Sequence, residues 1–184
     1  MHWAFDPITL EKRNNTGGST LVIDIGYETT DTSLFEGMRY QRDRAFTIRR
    51  AGMGNIVRSV QSYALNSLRD VDESRVDRAL RIIPQRGMKP GIEKWIEPTP
   101  GKEIEVSDVY DNALSNEAQR IATRIKSLYT EDVTRVLLTG GGAYHLKRAL
   151  MDQLSFVIET APQPEYANVI GALTTLKVRD NRKG

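Results

Sequence analysis

Asp24, Gly26, Thr29, Thr30 and Asp31 are the residues of this chain best suited to chemistry on a phosphate, because they cluster at the end of the apolar run Leu21-Val22-Ile23. A carboxylate at Asp24 can hold a hydrated divalent metal or a water. Gly26 lets the backbone approach a ligand closely, and its free φ permits a tight turn whose N–H groups face an anion. Thr29 and Thr30 add hydroxyl donors. Asp31 either caps the turn or helps to place a water. The shape is that of a phosphate-binding hairpin. An ordinary β-hairpin with a polar tip has the same residues, and this segment alone does not decide between them.

A second segment changes that balance. Val136-Leu137-Leu138-Thr139 runs directly into Gly140-Gly141-Gly142, which opens the helical pattern beginning at Ala143. A glycine-only turn from strand to helix brings bare backbone to a ligand's flat face or phosphate, and the helix N-terminus adds partial positive charge. It is not the dinucleotide-binding GxGxxG pattern, and there is no GxxxxGK[ST] loop in the chain.

The order of these segments resembles the actin/Hsp70/sugar-kinase ATPase superfamily. Asp24, Gly26, Thr29 and Asp31 match its second phosphate loop, and Gly140, Gly141 and Gly142 look like its adenosine motif. The stretch from Pro164 to Ala172 resembles the closing helix of the family's second lobe. Within the superfamily the likeness is greatest to bacterial and archaeal actin-like proteins of the ParM type, on the Thr29-Thr30-Asp31 ending, the Gly52-Met53-Gly54-Asn55-Ile56 segment and the Ala167-Asn168 pair.

The resemblance implies a set of roles. Gly26, Thr29 and Thr30 would contact the β- and γ-phosphates of ATP or ADP, Asp24 would hold Mg²⁺ through water, Gly140 to Gly142 would back the adenosine, and Asp31 would support the hairpin. Complete relatives have two lobes, whereas only about twenty residues precede Leu21. The resemblance therefore implies the C-terminal lobe alone, as a fragment or as a subunit of a split protein, incomplete as an ATPase without its first lobe. Its expected partners are that missing first lobe, copies of itself in a homo-oligomer or filament, and a segregation adaptor protein for plasmid DNA. Two other readings remain open: a non-catalytic assembly module that keeps the fold, and a lobe of a small-molecule kinase.

Around these residues the sequence must supply a scaffold. Leu21-Val22-Ile23 shows no polar alternation, as in a strand covered on both faces. Residues 20–50 predict a three-stranded antiparallel meander with turns near Gly37 and Asp43. Helical faces are predicted from Asn55 to Leu68 and from Ser74 to Ile83, then a loop from Lys89 to Gly101 broken by Pro90, Pro98 and Pro100. Ser107 is the expected N-cap of a long helix. The Val136 strand, a helix through His145, a strand at Phe156-Val157-Ile158 and a last helix from about Glu165 complete the pattern. The fold class is α/β: a ribonuclease-H-like lobe with a mixed sheet of about five strands, flanked by helices. The expected organisation is a flexible stub or interlobe linker at 1–19, containing Trp3 and Phe5, the lobe at 20–178 and a polar tail at 179–184.

Composition sets bounds on function. A chain of 184 residues with 39% hydrophobic and 27% charged residues suits one folded domain with a sizeable core. A net charge of +2 makes no case for nucleic acid, so direct DNA binding is not expected. The absence of cysteine excludes disulfides, thiolate catalysis and cysteine-ligated metal, and fits a reducing cytoplasm. No apolar run reaches membrane-span length. Arg39, Arg42, Arg44, Arg49 and Arg50 fit a solvated hairpin face better than a phosphate-binding surface. His2 and His145, the only histidines, lack ligand-like spacing, and Trp95 suits sealing of a local apolar cluster.

Overall fold

A computed structural model describes residues 17–83, 93–129 and 133–181. The stub containing Trp3 and Phe5 lies outside the described residues, as does His2. Three antiparallel strands begin the fold: β1 (Ser19–Ile25), β2 (Thr29–Glu36) and β3 (Arg39–Arg49). After helices and a hairpin, β6 (Arg135–Thr139) and β7 (Val157–Thr160) add to the other edge of β1 in parallel, giving the order β3-β2-β1-β6-β7. The sheet is thus mixed and five-stranded, with β1 at its centre. Its C-terminal strand ends put Asp24 opposite Asp31 on one side and opposite Thr139 on the other.

The unbroken apolar run of β1 has the expected cause. Leu21, Ile23 and Ile25 are fully buried on one face, in the main core with residues of α1 (Met53–Ala64), α3 (Ser107–Leu128) and α4 (Ala143–Gln153). Val22 packs on the other face with Leu137, Ala161 and Ala167, beneath the start of α5 (Ala167–Asn181). Helix α2 (Glu73–Leu80) is capped by Asp72, whose carboxylate accepts the Ser74 N–H at 2.6 Å. It starts one residue before the expected Ser74 and ends at Leu80.

Several expected boundaries shift, each for a tertiary reason. No turn forms at Asp43: β3 runs on through a bulge, its pairing with β2 jumping from Ala45 opposite Ser33 to Gln41 opposite Leu34. Tyr129 seals that bulge, its hydroxyl donating to the Arg44 carbonyl at 2.7 Å while the Arg44 guanidinium lies over its ring. The loop expected from Lys89 to Gly101 is instead a hairpin over its described part, β4 (Trp95–Thr99) pairing with β5 (Lys102–Glu105). Pro98 is accommodated because the ladder is irregular between Ile96 and Thr99. Residues 89–92 lie outside the described residues.

Ser107 is not an N-cap. It is the first helical residue of α3, and its hydroxyl accepts the Lys94 N–H at 2.8 Å, tying the β4-β5 hairpin to the helix. Helix α1 ends at Ala64, short of Leu68. The last strand starts at Val157, and a 3-10 turn, Pro164–Tyr166, precedes α5. Helix α5 continues to Asn181, past the expected start of the tail, and residues 182–184 lie outside the described residues.

Candidate nucleotide cleft

The two glycine-bearing turns meet. Gly142 N–H donates to the Ile25 carbonyl at 3.0 Å, so the end of β1 is stitched directly to the turn that follows β6. This contact needs glycine: a Cβ on Gly142 would sit 2.4 Å from Ile25 Cγ2. Gly140 takes φ +82, and a Cβ there would lie 2.3 Å from Asp24 Oδ1. Backbone and carboxylate share space that any side chain would fill.

Above this junction lies a cleft of about 440 Å³. Gly26 and Tyr27 of the hairpin tip, Met53 of α1, and Gly141, Gly142, Tyr144 and His145 at the start of α4 line it. Asp77 and Arg81 of the α2 region and Glu165 and Tyr166 of the 3-10 turn line its remaining sides. Helix α4 opens onto it without a side-chain cap or an acidic residue in its first turn. Ala143 N–H is used on the Gly140 carbonyl at 3.1 Å, so the positive dipole end and the N–H groups of Tyr144 and His145 are what the helix offers to an anion.

The hairpin tip is braced from behind. Met53 N–H donates to the Gly26 carbonyl at 3.0 Å and Gly54 N–H to the Tyr27 carbonyl at 2.8 Å, so the start of α1 is consumed in holding the tip. Tyr27 also donates its hydroxyl to Glu73 Oε1 at 2.6 Å, and partial burial, followed by that carboxylate, raises the phenol's pKa well above the usual value. Arg58 binds Glu28 at 2.8 Å, and that bond lowers the Glu28 carboxyl while raising the guanidinium.

The free backbone donors differ from those expected. Gly26 lacks positive φ, and its N–H closes the hairpin by donating to the Thr29 carbonyl at 2.9 Å. In the two turns, among the described residues, the N–H groups of Tyr27, Glu28 and Gly141 have no backbone partner. Tyr27 and Gly141 both line the cleft.

The threonines divide. Thr30 is fully buried and donates its hydroxyl to the Ala51 carbonyl at 2.9 Å, so it fixes the segment before α1 rather than facing the cleft. Thr29 is half-buried and reaches Asp31 Oδ2 at 3.4 Å. Asp31 also accepts the Thr47 hydroxyl at 2.5 Å, which places it as support for the hairpin's outer face. Asp24 accepts the side-chain amide of Asn168 at 2.7 Å. Thr139, beside Asp24 in the sheet, is buried, and its hydroxyl has no hydrogen-bond partner.

His145 is buried at the base of the cleft it helps to line. It is 4% exposed, and its Nδ1 lies 2.5 Å from the Tyr110 hydroxyl, joining α4 to α3 under the cleft. Burial pushes its pKa down to about 4, so the ring is neutral at pH 7. Among the described residues no group of three or more His, Cys, Asp or Glu is placed to bind a metal, and no helix is long and apolar enough to cross a membrane. Of the arginine cluster, Arg49 and Arg50 join Arg120 and Arg124 around a shallow concavity that shares no lining residue with the cleft. Trp95 is half-exposed in a groove between the β4-β5 hairpin and α2.

Sheet order, stitched glycine turns and cleft together define an α/β lobe of the actin-like ATPase type. A family model described as "Archaeal actin homologue MreB-like, C-terminal" matches residues 22–152, and the chain belongs to that family. Solved structures carry the same fold. Ta0583, an archaeal actin homologue in complex with ADP, is 19% identical with TM-score 0.68, over 89% of this chain and 50% of that one. A ParM from a 15-stranded filament of Clostridium botulinum is 20% identical with TM-score 0.68, over 88% and 46%. Bacillus thuringiensis ParM with ATP is 12% identical with TM-score 0.65, over 95% and 49%. The chain thus spans about half the length of the structures it matches. Curated protein sequences give no match.

Proposed function

We propose that this chain is the C-terminal nucleotide-binding lobe of a two-lobed actin-like ATPase, taking ATP or ADP with Mg²⁺ in the cleft between the hairpin tip and the Gly140-Gly141-Gly142 turn. The observation that carries this reading is the stitched junction: Gly142 N–H on the Ile25 carbonyl at 3.0 Å joins the two loops, and both line one cleft. The N–H groups of Tyr27 and Glu28 would receive phosphate oxygens, and Gly141 with the start of α4 would back the nucleoside.

The residues suit a hydrated Mg²⁺. Asp24 supplies a carboxylate, Asp31 stands opposite, and the orphaned Thr139 hydroxyl lies in the same row. Mg²⁺ keeps several waters and is held by one or two carboxylates plus substrate phosphates, which matches this sparse set. When bound, the ion would neutralise phosphate charge; Asp24 would hold its water shell.

The intact protein would assemble into filaments, move plasmid DNA through an adaptor, and work in the cytoplasm. Support for this finer reading is the shared fold with ParM, which in one related structure forms a filament. Calorimetric titration with Mg·ADP, repeated on Asp24→Ala, tests the nucleotide reading. Binding that Asp24→Ala weakens supports it, and the absence of binding counts against it.

A further inference from the structure

Asp24 is held from two sides. Its Oδ2 accepts Asn168 Nδ2 at 2.7 Å, and its Oδ1 packs so closely on Gly140 that a Cβ there would come within 2.3 Å. Asp31 lies directly opposite Asp24 across the β1-β2 ladder, on the same face of the sheet. Like charges directly opposite each other destabilise a ladder, and a cation beside them would relieve that repulsion. Asn168 is exposed and stands in the first turn of α5. That helix buries Ala167 and Thr174, while Val169, Leu173 and Leu176 remain more than half exposed. One hydrogen bond thus joins the Asp24 carboxylate, which packs on the Gly140 turn, to a helix with an exposed apolar stripe.

We propose that Asn168 is the positioning residue for the Asp24 carboxylate, and that through this bond the first turn of α5 senses whether a cation is held at Asp24. The inference rests on the nucleotide reading above. Asn168 needs no contact with nucleotide: its amide fixes one carboxylate oxygen by donation, so that the other lone pairs of Asp24 point at the cation's water shell. A bound cation competes for the same carboxylate, and any change in the Asp24–Asn168 bond is felt where α5 begins.

The test is ADP binding by the whole chain with Mg²⁺ and with chelator, on the unaltered protein and on Asn168→Ala, Asn168→Gln and Asn168→Asp. The gain in ADP affinity that Mg²⁺ confers should fall by about fivefold to tenfold in Asn168→Ala, the scale of one hydrogen bond, while Mg²⁺-free affinity stays unchanged. Asn168→Gln, which keeps the amide, should recover most of that gain. Asn168→Asp sets a further carboxylate against Asp24, so it should melt at lower temperature in chelator and recover in Mn²⁺. Hydrogen exchange at the start of α5 should slow with Mg·ADP in the unaltered chain and not in Asn168→Ala. An unchanged Mg²⁺ gain in Asn168→Ala, or an Asn168→Asp melting loss that Mn²⁺ leaves in place, overturns the proposal while the nucleotide reading stands. Failure of the unaltered chain to bind Mg·ADP overturns both.

Discussion

Glu117, in the middle of α3, accepts the backbone N–H of Gly52 at 2.7 Å, across 65 positions of sequence. Its second oxygen accepts the Asn55 side-chain amide at 2.9 Å, and the residue is only 4% exposed. Gly52 cannot be replaced there, since a Cβ would lie 2.6 Å from the Gly26 carbonyl oxygen. Glu117 therefore fixes the start of α1, and α1 braces the hairpin tip through Met53 and Gly54.

Removing that carboxylate leaves two donors without their acceptor. Glu117→Ala should cost about 2–4 kcal/mol, since each unsatisfied buried donor costs about 1–3 kcal/mol. Urea denaturation measures this. Weakened ADP binding under native conditions should accompany it, because the tip loses its brace.

Gly140 and Gly141 should respond in opposite ways. Gly140→Ala combines φ +82 with a clash against Asp24 and Ile25, and should lose several kcal/mol, on the order of 3. Gly141 has open space within 4 Å and no positive φ, so Gly141→Ala should leave stability within about 0.5 kcal/mol. Gly141→Val would put branched bulk into the cleft and should weaken nucleotide binding while the thermal midpoint holds. Melting curves and titrations on the three variants separate these effects.

The buried His145 gives a pH signature. Its folded pKa, about 4, lies below the ordinary value of 6.5, so the unfolded chain takes up the proton first as pH falls. Stability from this group is fully present above pH 6.5, is lost progressively down to pH 4, and changes no further below that. A shift of this size corresponds to about 3 kcal/mol, at 1.36 kcal/mol per unit. Asp77 and Arg81 face the ring with opposing effects, Asp77 favouring the charged form and Arg81 disfavouring it. Urea titrations at pH 7 and pH 4.5 should show a smaller pH loss in His145→Gln than in the unaltered chain.

The strands and turns that carry the site were legible because they depend on local pattern. Leu21-Val22-Ile23 reads as a doubly covered strand, and the glycine triplet reads as a close backbone approach, which the fold makes at Gly140 and Gly142 against Asp24 and Ile25. What escaped depends on partners distant in sequence. Ser107 has the residue type of an N-cap, yet the Lys94 N–H takes its hydroxyl. Thr30 resembles Thr29 in sequence, but strand alternation turns it into the core, where Ala51 accepts its proton. Asp77 and Arg81 line the cleft from about fifty residues beyond the hairpin, with no motif to announce them. Asn168 was visible as part of a matching pair, but its bond to Asp24 spans 144 positions. The β4-β5 hairpin was hidden by its prolines, which ordinarily argue against a strand.

The most direct test of the central claim is an amide chemical-shift titration of the whole chain with Mg·ADP. If the hairpin tip and the glycine turn form one nucleotide site, the amides of Tyr27, Glu28 and Gly141 should shift together and saturate with a single Kd. Independent saturation of the two loops would contradict the account. So would shifts confined to another surface, such as the Arg49-Arg50-Arg120-Arg124 concavity.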